Sequence, residues 1–366
     1  MKILNVTPYC ISNYGAMLQA WALRQTLEGV GHEVVYLNYK KIWPGKFGLR
    51  GMLHSKSIAS LRSKIAINRQ MDVVREEVGG WNETRPYWSD ADLLRNPPVA
   101  DCYLVGSDQV FGVDKMERIA TGRHALLAFG DENVLRVAYA ASFGRPSWSD
   151  SEVSQSKWAV PFLRRFKAMG LREESGVDIL RKWSGVDGSW TPDPTLLLSV
   201  EDYWRQFKIE KWRKSRPMVF SYMLGFCGST ARKYLYEEAL SNVKRHLGGD
   251  VEFVESMSAR SISYWLSNIA NADCVVTNSF HGICFSILFN RPFLPLGFEG
   301  ENAWRNARAL DILMHCGLSD RFVIAGEEVR IPDVVGRSWD WERINRVLRE
   351  FKKTGREFLS SALSKA

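Results

Sequence analysis

The sequence predicts two parallel-sheet α/β domains facing across a cleft, and three observations carry that expectation. Apolar, β-branched runs of strand length alternate with segments of helical period, and the alternation restarts in the second half of the chain. At 366 residues the chain exceeds the length over which a single core keeps growing. Pro192-Asp193-Pro194-Thr195, with two prolines in three residues, has the punctuation of a domain boundary. The expected division is 1–195, 196–335 and a C-terminal helix in 336–366, for which packing back on the first domain is one option.

In order, Lys2 to Thr7 is a short apolar strand, followed by a turn to Asn13. Tyr14, Met17, Leu18, Trp21, Ala22 and Leu27 then recur at helical spacing, Gly29 to His32 ends that helix, and Glu33 to Tyr39 resumes as a strand. This is a βαβ unit whose ligand-facing turn is Ser12 to Gly15. It lacks the G-x-G-x-x-G fingerprint, so neither a nicotinamide nor a flavin cofactor is expected. Lys40 to Arg85 is basic and reads as mostly helical; a solvated helical face, a charged flap over an acidic substrate and a membrane-surface element all fit it.

Ala100 to Gly106 is the next strand, ending in Ser107-Asp108-Gln109. The carboxyl end of a parallel strand is where an open α/β sheet presents ligand groups, so Asp108 is a candidate base or hydroxyl ligand, with a turn role as the plainer reading. Val134 to Ser142 is a strand and Glu152 to Phe166 a helix. Ala168 to Gly176 holds a short strand that delivers Arg172 into a turn, an arginine suited to forked bonds with a carboxylate or phosphate, before a helix over 177–183.

The second half runs strand 217–224, helix 230–247, strand 251–254, helix 261–270, strand 273–276, helix 283–289, strand 293–297 and helix 303–316, and ends in a long helix over 339–363. Between the third of these strands and the next helix lies Thr277-Asn278-Ser279-Phe280-His281-Gly282. A polar cluster there places a titratable ring beside the unpaired N–H groups of a helix start, where an anion is stabilised. Equally, Asn278 and Ser279 cap the helix and His281 is a core histidine.

Composition narrows the classes. The net charge of +8 favours anionic partners such as phosphorylated small molecules, acidic glycans or lipid head groups. No nucleic-acid reader motif accompanies it. The six cysteines form no C-x-x-C pair, so neither a metal site nor a disulfide framework is expected. Without a basic leader followed by a long apolar run, or any stretch of about 18 apolar residues, a cytoplasmic protein is expected. Oligomeric state is not legible.

Six motifs together resemble the polysaccharide pyruvyl transferases: Asn13 to Ala20, Gly106 to Phe111, Ala138 to Gly144, Arg172 to Gly176, Pro192 to Thr195 and Asn278 to Gly282. The resemblance runs from about Lys2 to about Val323, leaving the basic segment and the last helix outside it. It implies two Rossmann-like domains in a GT-B-like arrangement. The implied activity is transfer of pyruvate from phosphoenolpyruvate, with no other cofactor, onto two hydroxyls of a sugar or lipid-linked oligosaccharide, at the inner face of the cell membrane. On that basis His281 and Asp108 are the catalytic candidates. Arg172, Asn278, Ser279, Gly282 and Arg308 are candidates for phosphoenolpyruvate, and Asn13, Tyr14, Gly15 and Asp108 for the acceptor. Some family members have an arginine where this chain has Ser279, and Arg308, or Arg305, is the expected substitute. The competing functions are a GT-B nucleotide-sugar glycosyltransferase and a non-catalytic anionic-glycan binder that uses some of the 14 tryptophans as stacking platforms.

Overall fold

The computed structural model describes residues 1–9, 13–40, 57–112, 122–224, 230–256, 260–324 and 335–364. The chain divides into two compact units, Met1–Leu198 with Lys352–Ala366, and Ser199–Phe351. Each is a Rossmann-like parallel-sheet α/β unit, so the fold is GT-B-like in class.

In the first unit six strands, β1 (Lys2–Asn5), β2 (Glu33–Tyr36), β3 (Cys102–Val105), β4 (Leu135–Ala141), β5 (Ala168–Leu171) and β6 (Ser189–Trp190), form one sheet in the order β2-β1-β3-β4-β5-β6. Every pairing is parallel. Strand order reverses direction at β1, which lies between β2 and β3, so the carboxyl ends of β1 and β3 form the topological switch point. Thr7 and Ser107 meet there, the Thr7 hydroxyl donating to the Ser107 carbonyl at 3.0 Å. In β4 the register slips between Ala138 and Ala141, and Ala140 sits at φ 50°, a bulge that bends the strand as it reaches this edge.

The helices of this unit are α1 (Tyr14–Glu28), α2 (Ile58–Glu77), α3 (Asp90–Arg95), α4 (Asp150–Gln155), α5 (Val160–Leu163) and α6 (Glu174–Ser184). α1 is buried on most faces because small and apolar residues surround it, and Asn13 caps its start. The long helix expected from Glu152 to Phe166 is instead α4, a 3-10 turn at Lys157–Ala159 and α5. Pro161 explains the break, since it has no N–H to donate to the Lys157 carbonyl and is at home in a first helical turn. α2 buries only Gln70, Met71 and Val74, the pattern of a solvated helix. Of the basic segment from Lys40 to Arg85, for which flap and membrane-surface readings stand beside the solvated one, 41–56 lie outside the described residues.

The second unit has α7 (Val200–Phe207), β7 (Met218–Tyr222), α8 (Thr230–His246), β8 (Glu252–Glu255), α9 (Ile262–Asn271), β9 (Cys274–Thr277), α10 (Phe280–Leu288), β10 (Phe293–Pro295) and α11 (Ala307–His315). Its sheet order is β10-β9-β7-β8, all parallel, with its own switch point between β7 and β9. The helix expected to begin at Ala303 starts as a 3-10 turn, Gly300–Asn306, because the Asn306 amide closes two bonds on the Phe298 backbone, at 2.7 and 2.8 Å.

The last helix, α12 (Trp341–Leu363), contributes to both units. In the second unit its Phe351 meets the ring of His315. In the first, Phe358 lies 6.0 Å from the Tyr139 ring, Arg356 donates to the Leu197 carbonyl at 3.0 Å, and Lys167 reaches the Ser364 carbonyl at 2.8 Å. Gly355 lies so close to Pro192 and the Tyr139 hydroxyl that a Cβ would come within 2.6 Å of each. Among the described residues no helix is long and apolar enough to cross a membrane.

Candidate active site

The turn after β9 is built from the backbone outward. Thr277, fully buried, donates its hydroxyl to the Tyr222 carbonyl at 2.6 Å and accepts from the Ser279 amide at 3.0 Å, tying the turn to β7. Ser279 caps α10, accepting from the Gly282 amide at 3.3 Å. The helix therefore begins three residues earlier than its apolar density predicts, and His281 and Gly282 belong to its first turn. Gly282 is required by space, since a Cβ there would meet the Thr277 hydroxyl at 2.5 Å. His281 is 7 % exposed, with its ring against Phe280 at 5.1 Å.

Asn278 does not cap the helix. Its amide spans the backbone of Leu224, accepting from the Leu224 N–H at 2.6 Å and donating to its carbonyl at 2.9 Å, so it clamps the segment leaving β7 to the turn leaving β9. A direct phosphoenolpyruvate contact would have to compete with that clamp. α10 packs against α11, the helix bearing the half-buried Arg308. Arg305 lies over the rings of Phe298 and Trp304, at 5.1 and 5.6 Å. Behind the turn, burial first and Asp273 second push the Cys274 thiol up to about 12, so it is an inert core group.

The first unit gathers a different set of groups at the carboxyl ends of its strands. The Arg172 side chain, 1 % exposed, faces Asp193 at 3.2 Å, Glu173 at 3.5 Å and Asp108 at 3.9 Å. Burial alone would lower its pKa; Glu173, Asp193 and Asp108 outweigh burial and hold it above the ordinary value. Asp193 is saturated: Oδ1 accepts from the Thr195 N–H and hydroxyl, and Oδ2 from the Ser107 hydroxyl and Arg172. Glu173 accepts from the Ser142 hydroxyl. Sequence reasoning read Pro192 to Thr195 as boundary punctuation, yet Asp193 is a buried anchor for Arg172; neither it nor Glu173 was singled out.

Asp108 is the member of this cluster that reaches solvent, with its side chain 23 % exposed. Its backbone has φ 83°, left-handed for a residue with a Cβ, while Oδ1 accepts from the Gln109 N–H at 2.8 Å. Asn13 is the cap of α1, its Oδ1 accepting from the Ala16 N–H at 3.2 Å, and Tyr14 and Gly15 are buried in that first turn. α1 packs on the 3-10 turn Pro194–Leu196, and its Gln19 amide donates to the Thr7 hydroxyl at 3.2 Å, the group that in turn bonds the Ser107 carbonyl.

A family model described as polysaccharide pyruvyl transferase matches residues 13–299, a span that contains the turn from Asn278 to Gly282 and the Arg172 cluster and ends before Arg305 and Arg308. The chain belongs to the polysaccharide pyruvyl transferase family. No curated protein matches this pyruvyl transferase. Among solved structures it is similar to UDP-N-acetylglucosamine 2-epimerase from Rickettsia bellii, at 10 % identity over 99 % of this chain and 96 % of that one, with a TM-score of 0.53. It also matches UDP-GlcNAc 2-epimerase from Neisseria meningitidis bound to UDP-GlcNAc, at 9 % identity over 99 % of each chain and a TM-score of 0.48. The spinosyn rhamnosyltransferase SpnG matches at 10 % identity, 99 % of each chain and 0.47. The first of these likenesses supports the fold of the pyruvyl transferase and does not bear on its substrates. Among the described residues no group of His, Cys, Asp and Glu is arranged to hold a metal ion.

Proposed function

We propose that this pyruvyl transferase moves pyruvate from phosphoenolpyruvate onto two hydroxyls of one sugar, closing a cyclic ketal in a surface polysaccharide or its lipid-linked precursor. Phosphoenolpyruvate is a co-substrate, and no cofactor is called for. The work is done in the cytoplasm, at the inner face of the cell membrane, where a lipid-linked acceptor is presented.

The reaction sets its own requirements. C3 gains a proton, which makes C2 electrophilic; one sugar oxygen bonds to C2, the C2–O bond to phosphate breaks, and a second sugar oxygen closes the ring. Of the two hydroxyl protons released, one balances the proton gained at C3 and the other leaves with inorganic phosphate. The donor carries a phosphate and a carboxylate, so it calls for fixed cations and helix-start N–H groups. The acceptor calls for a base.

The observation that carries the reading is the position of His281 in the first turn of α10, immediately after β9 at the switch point of its sheet and inside the matched span. An imidazole there can hand a proton to C3 or to the departing phosphate. Ser279, Gly282 and the cation of Arg308 serve the phosphoenolpyruvate anions, and Asn278 holds their turn in shape. Asp108 activates the acceptor hydroxyl, with the α1 start at Asn13, Tyr14 and Gly15 on the acceptor side.

Incubation with phosphoenolpyruvate and a hydroxyl-rich glycan extract, followed by phosphate release and acceptor mass, tests this. Acceptor-dependent phosphate release with pyruvate incorporated is expected, and His281→Ala should lower it by about 10²-fold or more with the far-UV spectrum unchanged. Turnover with a nucleotide sugar and none with phosphoenolpyruvate would refute the proposal.

A further inference from the structure

We propose that Arg172 is a positioning residue: anchored by Asp193 and Glu173, it holds the Asp108 carboxylate at the carboxyl edge of the first sheet, where Asp108 receives the proton of the attacking sugar hydroxyl. This rests on the pyruvyl-transfer reading above and assigns Arg172 a different task from binding phosphoenolpyruvate.

Charge and burial separate the two tasks. A guanidinium that takes a phosphate or carboxylate from solution needs an open face and an uncompensated charge. Arg172 is 1 % exposed at the side chain, and the two carboxylates nearest to it, those of Asp193 and Glu173, are 0 and 1 % exposed. With Asp108 the cluster sets three carboxylates against one guanidinium, so it repels an incoming dianion but not a neutral hydroxyl. Buried charges persist when paired and hydrogen-bonded: Ser107 and Thr195 donate to both oxygens of Asp193, and Ser142 donates to Oε1 of Glu173.

Asp108 is the one carboxylate of the three aimed outward, and the structure holds its backbone in a conformation that a side chain disfavours. Its carbonyl accepts from Ser142 N–H at 3.0 Å, and it forms an isolated bridge with Ala141, just past the bulge at Ala140. Strained backbone persists where surroundings over-determine it. Four strand ends contribute: Ser107 and Asp108 follow β3, Ser142 follows β4, Arg172 and Glu173 follow β5, and Asp193 follows β6. In the reaction the sugar oxygen bonds to C2 as its proton passes to an Asp108 oxygen, and Asp108 then releases that proton to solvent or to the departing phosphate.

The test is a double-mutant cycle in acceptor-dependent phosphate release, using Arg172→Gln, Asp108→Asn and the pair. Arg172→Gln is expected to lower kcat by about 10²-fold with KM for phosphoenolpyruvate within about twofold of wild type. On the Asp108→Asn background it should cost nothing further. A rise of about tenfold or more in that KM with kcat preserved, or losses that multiply, would overturn the proposal. Should Arg172→Gln fail to fold, Glu173→Gln keeps the shape and removes one anchoring charge; a kcat loss confined to the Asp108 background supports positioning, and wild-type kcat refutes it. A crystal structure of the folded variant gives a readout free of activity, in which an Asp108 carboxylate still at its wild-type position overturns the idea and a displaced one supports it. If the wild-type chain does not consume phosphoenolpyruvate, the proposed function fails and that displacement alone decides the positioning.

Discussion

Adding one methyl group at Gly282 tests how the turn after β9 is held. An alanine Cβ would lie 2.5 Å from the Thr277 hydroxyl and 3.2 Å from both Thr277 carbons, so Thr277 must move. That hydroxyl makes the bonds to the Tyr222 carbonyl and from the Ser279 amide, and Thr277 is fully buried, so water does not replace them. Losing both costs about 2 kcal/mol and the crowding about 1–3 kcal/mol, offset by about 1 kcal/mol because alanine is the better helix former. Gly282→Ala is therefore expected to destabilise by about 2–4 kcal/mol in urea unfolding, with faster hydrogen exchange at the Ser279 amide. Thr277→Ala removes the obstructing hydroxyl, so the double variant should cost at least about 1 kcal/mol less than the sum of the singles. A loss below about 1 kcal/mol for Gly282→Ala, or strict additivity in the pair, would show that the close approach does not hold the turn.

Two other predictions follow from neighbouring features. Asn278→Ala removes both bonds to Leu224, and exchange of the Leu224 amide should accelerate about tenfold or more; unchanged protection would mean the clamp is dispensable. Burial first, modified by nearby charges, pushes the Cys102, Cys274 and Cys316 thiols up to about 12 in the folded chain. Because the folded value lies above the unfolded one, the stabilisation is complete below about pH 9 and is lost as pH rises from there toward 12, reaching about 1.4 kcal/mol per thiol by about pH 10. Cys102→Ala should flatten the alkaline loss of stability by that amount, and an unchanged slope would contradict the assignment.

Local signals carried most of the architecture. The strand-helix-strand opening of the first unit was legible because α1 and the strands around it bury apolar residues whose period reports their secondary structure, whereas α7, which opens the second unit, was not read from the sequence. Boundaries were less legible where a polar residue decides them. Ser279 starts α10 before its apolar run begins, and Pro161, in the first turn of α5, divides a stretch that periodicity would read as one helix. The two-residue strand β6 is too short to show a period. In the candidate site, His281 and Asp108 could be picked out because each follows a strand. The partners of Arg172 could not, since Ser107 is 65 residues away and Asp193 is 21, and nothing local to either records the pairing. Asn278 carried the opposite lesson: its residue type suggested a cap or a ligand, while its amide is spent on a backbone 54 residues earlier.

The return of α12 to the first unit has a consequence for how the protein is made. The chain leaves that unit at Leu198 and re-enters it at Lys352, so Tyr139, Pro192 and Leu197 meet Gly355, Arg356 and Phe358 only after the second unit has been synthesised. On the ribosome the second unit emerges whole before the first is complete. The first unit must therefore wait through the synthesis of its neighbour with Tyr139 and its surroundings uncovered, and a stop codon placed before Lys352 would leave it permanently open. In this pyruvyl transferase a segment translated after the whole second unit completes the first.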